Sequence, residues 1–274
     1  MSAPELAAFT FLPLGAIIQE FRVGGKNIVL GFPTQEDYVK HNTQHYGATI
    51  GRVANRIKDG LIQDLNGQKI QLTQNNGPNA LHGGEKGWEM VRRGYPGTVE
   101  VRVWYTASKE DDAKTVLTAE YEVEFIGNEC EETVVNITNH SYFNIGDGPD
   151  ISGTTAQLST GDYLPIDSTG IPTGGIAKFP RDVTTPFTLT ATGAHIDDVF
   201  VLESDPSKIP LDTRGLPLRR LARFSNASTG LHLEVHSTEP AFQFYTGKYI
   251  DVPSINGAPA HHEELDSVWN LAGS

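Results

Sequence analysis

Strict two-residue alternation of apolar and polar side chains constrains the fold of this chain more than any other feature. In GTVEVRVWYT, Val99, Val101, Val103 and Tyr105 share one face of an extended segment, and Glu100 and Arg102 share the other. In VLTAEYEVEF, Leu117, Ala119, Tyr121, Val123 and Phe125 oppose Thr118, Glu120, Glu122 and Glu124. In GLHLEVHST, Leu231, Leu233 and Val235 oppose His232, Glu234 and His236. Successive side chains of a strand point to opposite faces, so this period marks half-buried antiparallel strands. Asn66-Gly67, between strand-like arms in LIQDLNGQKIQL, predicts a two-residue hairpin turn. Helix signals are few. Thr34 with Asp37 predicts a capped start to a short helix reaching Lys40, and Pro217 opens a second in PLRRLARF, through Phe224. Neither can cover a sheet, so sheets must bury their apolar faces on one another. The expected fold is all-β, a large antiparallel β-sandwich.

The 274 residues contain no Ser/Gly linker, low-complexity block or internal repeat, and a single domain over 1–274 is expected. A formal charge of −13 repels polyanions, which argues against nucleic acid as a partner. No stretch is apolar for long enough to span a membrane, and the N-terminus lacks the charged start and apolar run of a secretion signal. A cytoplasmic protein, monomeric or weakly dimeric, is expected. Cys130 stands alone, so no intrachain disulfide forms.

Several segments interrupt the alternation with polar clusters that a core does not need: GRVANRI (51–57), NNGPNALHGG (75–84), NITNHSYFN (136–144), Asp197-Asp198 and TEPAFQFYTG (238–247). By strand parity, Val135, Ile137 and Phe143 fall on one face, and Asn136, Thr138, His140 and Tyr142 on the other. Phe242 and Phe244 likewise oppose Gln243 and Tyr245. Polar rows on strands that pack by one face suit a groove for a polyhydroxylated ligand, held by hydrogen bonds with an aromatic wall beside them.

Taken in order, GRVANRI, NGPNALHGG, NHSYFNI and TEPAFQFYTG resemble the aldose 1-epimerase (galactose mutarotase) family, as does YLPIDSTGIPTG (163–174), and the likeness runs from about Phe9 to about Ala260. The resemblance implies a galactose mutarotase-like supersandwich that interconverts the anomers of free hexoses by acid/base ring opening, with a sugar as its small-molecule partner. It makes His140 the general acid, and Asn55, Arg56, His82, Tyr142, Asp197 and Gln243 the substrate-binding residues. No cofactor and no metal is implied. From the residues alone other roles stay open: Arg56 as an ion-pair partner of Asp197, His82 as the cap of its Gly-Gly turn, and Asp198 in place of Asp197. His232, Glu234 and His236 read as a solvated strand face rather than a metal site, and no G-x-S-x-G elbow supports hydrolase chemistry.

Two departures matter. The family's base is a glutamate on a strand after the YTG motif, whereas here the chain runs YTGKYIDVPSINGAPA into HHEELDSVWNLAGS. Neither Glu263 nor Glu264 falls in the motif, so the base is unknown. The ending shows no alternation and no matching strand, and 261–274 is expected to be a solvated non-family tail. The second departure is a shortening between Trp88 and Tyr95. Together they imply weak or absent activity, an open sheet edge and reduced stability. The alternatives are a catalytically silent sugar-binding homologue and an epimerase-fold protein acting on another small molecule.

Overall fold

The alternating runs pair largely as their periods dictate in the computed structural model, which describes residues 9–84, 94–110, 114–193, 195–250 and 269–273. In chain order come β1 (Phe9–Leu12), β2 (Ile17–Val23), β3 (Lys26–Asn27) and helix α1 (Gln35–His41). β4 (Thr49–Ile50), β5 (Leu61–Leu65), β6 (Gln68–Gln71), β7 (Val99–Lys109) and β8 (Thr115–Phe125) follow. Then come β9 (Thr138–Asn139), β10 (Tyr142–Phe143), β11 (Thr154–Leu158), β12 (Asp162–Tyr163), β13 (Ala177–Lys178) and β14 (Phe187–Thr188). β15 (Asp197–Val201), β16 (Arg219–Asn226), β17 (His232–Ser237), β18 (Ala241–Tyr245) and β19 (Trp269–Gly273) complete the series.

A six-stranded sheet has the order β10-β19-β18-β15-β12-β13, a four-stranded sheet β14-β11-β16-β17, and a three-stranded sheet β1-β2-β3. β7 and β8 form the long ribbon, β5 and β6 close on Asn66-Gly67, and β4 pairs with β9. The ladders between these strands are antiparallel. The two larger sheets bury their apolar faces in one core, where Phe224 of β16 meets Phe244 of β18 at 5.8 Å between ring centroids. Phe200, Phe242 and Phe244 are wholly buried, each stabilising the fold by about 2 kcal/mol relative to exposure. The architecture is therefore the expected antiparallel β-sandwich. Thr34 caps α1 as its sequence predicts, Oγ1 accepting from Asp37 N at 3.2 Å. Among the described residues no helix is long and apolar enough to cross a membrane.

Three expectations are corrected. PLRRLARF is not a helix: from Arg219 it is strand β16, and a register shift between Arg220 and Ala222 turns Leu221 and Ala222 both inward. That bulge replaces the two-residue period with a spacing that imitates a helical stripe. The ending is not without a strand: β19 pairs with both β18 and β10. β18 therefore has no open edge along Phe242–Tyr245, and β19 links the strand carrying Gln243 to the strand carrying Tyr142. Finally, Val135 does not share a buried face with Ile137 and Phe143 but is 41% exposed, because regular strand begins only at Thr138.

Candidate active site

Parity on β18 decides which side chains can face a ligand. Phe242 and Phe244 fill the core, so Gln243 and Tyr245 point to the opposite face. Directly paired residues of adjacent strands share a face. Asp197 pairs with Tyr245 and Asp198 with Phe244, so the register separates the two aspartates and puts Asp197 beside Gln243. Gln243 Nε2 donates to Asp197 Oδ1 at 2.7 Å, and Asn55 Nδ2 lies 3.5 Å from Gln243 Oε1 on its other flank. Asn55, Gln243 and Asp197 thus form one polar row.

GRVANRI delivers its two arginines to different tasks. The Arg52 guanidinium is buried and donates to the carbonyls of Pro96 and Gly97, at 2.8 and 3.1 Å, which ties down the loop before β7. Arg56 turns the other way, its Nε donating to Asn76 Oδ1 at 3.0 Å. The NNGPNALHGG loop lies against this segment through reciprocal hydrogen bonds between Ile57 and Ala80. Gly83 makes the approach possible: its φ is +82°, and a Cβ there would lie 2.0 Å from the Gly51 carbonyl oxygen. Asn79, 1% exposed, accepts from Asp59 N and donates to Thr169 O, joining this loop to YLPIDSTG. Gly170, at φ +81°, then packs on Arg56 so closely that a Cβ would lie 2.7 Å from the guanidinium Nε.

His82 Nδ1 bonds the Ala54 carbonyl. A carbonyl only accepts, so Nδ1 carries the proton and Nε2 of the neutral ring is left as an acceptor. The bond runs to GRVANRI, not to the Gly-Gly turn. Burial, with His45 and Arg56 as cationic neighbours, pulls His82 down to about 3, against the bond to Ala54. His140 is 9% exposed, and its ring stands 5.1 Å from His82 and 5.2 Å from Tyr142 between centroids. Burial, then His82 and His45, hold His140 well below the ordinary imidazole range. Tyr142 is 2% exposed behind it, with Tyr46 at 5.0 Å and Tyr245 at 6.2 Å. Asp197 is exposed as a residue, but desolvation of its carboxyl where it meets Gln243 raises it, while the bond from Gln243 and the charges of Arg56 and Lys248 oppose that shift. Asp197 in turn raises Tyr142 and Tyr245, after burial and other neighbours.

Two contact groups result: His82, His140 and Tyr142 through their rings, and Asn55, Gln243 and Asp197 through their polar atoms. The bond from His82 to the Ala54 carbonyl sets the first group beside Asn55 of the second, and Arg56 follows Asn55 in the chain. Asn55, Arg56, His82 and Gln243 are half-buried, Asp197 is exposed at the rim, and His140 and Tyr142 form the floor. His45, which no motif marks, joins the floor at 5.2 Å from His82 and 5.9 Å from His140. Among the described residues no group of three or more His, Cys, Asp or Glu side chains is arranged to hold a metal ion. The constellation offers amide, guanidinium and imidazole groups at hydrogen-bond spacing, together with one rim carboxylate. Such an inventory is chemically suited to the hydroxyls of a polyol.

The model of the Aldose 1-epimerase family matches residues 1–93 and 89–267. The two stretches meet inside the segment where the sequence indicates a shortening. Galactose mutarotase of Bos taurus is 36% identical over 251 residues, covering 82% of this chain and 68% of that protein. Galactose mutarotase of Homo sapiens is 33% identical over 265 residues, covering 86% and 72%. The bifunctional protein gal10 of Schizosaccharomyces pombe is 33% identical over 269 residues; the match covers 87% of this chain but only 36% of that longer protein. In fold alone, the chain resembles galactose 1-epimerase from Lactobacillus acidophilus, with a TM-score of 0.72 at 20% identity, covering 98% and 83%. It likewise resembles the GalM/aldose epimerase homologue from C. elegans, with a TM-score of 0.68 at 22% identity, covering 97% and 85%. Motifs, fold and these similarities agree, and the chain belongs to the aldose 1-epimerase family.

Proposed function

We propose that this chain is an aldose 1-epimerase that interconverts the α and β anomers of free hexoses, with galactose and glucose as the first sugars to test. Family membership carries the reading, and the contacts joining His82 to His140 and Gln243 to Asp197 support it. Mutarotation takes a proton from the anomeric hydroxyl and places one on the ring oxygen; the ring opens, the aldehyde turns, and the ring closes on its other face. The sugar is neither oxidised nor reduced, so one acid and one base within hydrogen-bond reach are sufficient. His140 is assigned as the acid at the ring oxygen. Asn55, Arg56, Gln243 and Asp197 are assigned to the sugar hydroxyls, His82 Nε2 accepts one of them, and Tyr142 backs the floor. The base is unassigned, and Glu263 and Glu264 lie outside the described residues. A single cysteine suits a reducing compartment, and we assign a cytoplasmic monomer or weak dimer.

Polarimetry on freshly dissolved α-D-galactose and α-D-glucose tests the proposal. Equilibration faster than the spontaneous rate, in proportion to protein concentration, is the expected result. Sugar binding by calorimetry with no such acceleration selects the silent sugar-binding homologue instead. Gly170→Ala addresses the binding half: a methyl group at 2.7 Å from Nε must displace Arg56. Losing a hydrogen bond from a charged group costs about 2 kcal/mol, so KM rises by about tenfold or more. An unchanged KM in a folded Gly170→Ala protein would remove Arg56 from sugar binding.

A further inference from the structure

The third imidazole of the floor lies on a turn that no motif marks. His45 follows α1 in the run Asn42–Gly47, with a left-handed φ of +57°. The turn is pinned by its own side chains: Asn42 Oδ1 accepts from Tyr46 N at 2.6 Å, and Asn42 Nδ2 donates to Tyr46 O at 3.3 Å. It is also knitted to the backbone on either side of His140. Gly47 N donates to His140 O at 3.2 Å, His140 N donates to Ala48 O at 2.7 Å, and Asn139 Nδ2 donates to Gly47 O at 2.8 Å. Ala48 N returns to His45 O at 3.1 Å. The His45 ring is therefore carried on the piece of backbone that fixes His140.

From there the ring makes two edge-on contacts, with interplanar angles of 78° to His82 and 62° to His140. His82 and His140 are themselves crossed at 83°, so the three rings brace one another. His82 arrives on a second left-handed residue, at φ +53°. Non-glycine residues hold that conformation only where the surrounding structure imposes it. We propose, resting on the aldose 1-epimerase reading, that His45 is a positioning residue: its ring, wedged against His82 and His140, sets the angles at which those two imidazoles meet the sugar.

The electrostatics agree with this geometry. His45 is among the causes that lower both His82 and His140, and burial lowers His45 itself. Among the described residues, His45 on the turn, His82 on its loop and Tyr142 on β10 stand against His140, with Tyr46 packed on Tyr142. Arg56 stands behind His82, and Asp197 and Tyr245 stand beyond Tyr142. Among the described residues, His82 and His45 are the charged groups that lower His140 after burial. Removing His45 takes away one wall and one cationic neighbour, and both changes move His140 upward.

The test compares His45→Ala with His45→Phe on two readouts, anomer exchange and proton NMR titration of the His140 and His82 Cε1 protons. His45→Ala is expected to lower kcat by about tenfold or more with KM within about threefold, the pattern of a misaligned catalytic group. It also raises the His140 titration midpoint. His45→Phe keeps the wedge, recovers most of kcat and raises that midpoint less than His45→Ala does, because only the charge is lost. Wild-type kcat in His45→Ala overturns the proposal, as does His45→Phe being equally slow. If His45→Ala does not fold, His45→Gln, which lacks the ring faces, takes its place. If the unaltered protein gives no anomer exchange, the functional reading falls, and the titration decides alone: unmoved His140 and His82 midpoints in His45→Ala refute the positioning role, and moved midpoints sustain it.

Discussion

Replacing His140 with glutamine lowers anomer exchange by about a hundredfold to ten-thousandfold, the usual contribution of one well-placed acid or base. Glutamine nearly matches the volume of the buried ring and can still offer a hydrogen bond, but it cannot move a proton. The loss therefore falls on kcat, while KM, which we assign to Asn55, Arg56, Asp197 and Gln243, stays within about threefold. Polarimetry at several sugar concentrations separates the two, and a thermal melt verifies folding. An exchange rate unchanged by His140→Gln removes His140 from the chemistry.

The pH profile of the same reaction gives the direction of the proton. Burial and two imidazole neighbours keep His140 neutral at pH 7. A neutral imidazole gives up its N–H only by becoming an imidazolate, so an acid role depends on the scarce protonated form or on a carboxylate arriving to stabilise it. If His140 works as the acid from this resting state, kcat/KM falls as pH rises through 6 to 8. A flat profile over that range shows instead that His140 begins neutral and accepts the proton.

Much of this was legible in the sequence because its strands are half-buried. β7, β8 and β17 announce themselves by alternation, and on β18 the same alternation separates Phe242 and Phe244 from Gln243 and Tyr245. The period fails where the backbone departs from a regular ladder. The bulge in β16 places Leu221 and Ala222 on one face, and PLRRLARF then reads as a helix. β19 is held on both sides by backbone ladders that any non-proline residue can form, and its five residues show no polar alternation. His45 was invisible for another reason. It lies in a turn with no strand parity, and its contacts come from segments 37 and 95 residues away along the chain. The choice between Asp197 and Asp198 needed the pairing register, which sequence parity alone does not fix.

The imidazole floor also makes the fold sensitive to mild acid. His82 titrates near 3 in the folded protein against an ordinary 6.5, so between those values the unfolded chain binds more protons than the folded one. Stability then rises with pH and is lost as pH falls below 6.5. At pH 5, at about 1.36 kcal/mol per unit, His82 alone costs about 2 kcal/mol relative to neutral pH. His140 and His45, both lowered, act in the same direction. Asp197 and Asp198 work the other way: their raised carboxyls gain a stabilising proton as pH drops through their folded values. The lowered carboxyls Asp167, Asp182, Asp205 and Asp212 lose their contribution only near and below their ordinary 3.8. Between pH 7 and 5 the histidines therefore dominate, and the thermal midpoint should fall by about 5 °C or more. Melts at pH 7.5 and 5.0 measure this directly, and His82→Gln, which cannot titrate, should flatten the difference by roughly its own share of about 2 kcal/mol. A midpoint that does not move between the two pH values would mean that water reaches these rings freely and that the floor is not sealed as its packing indicates.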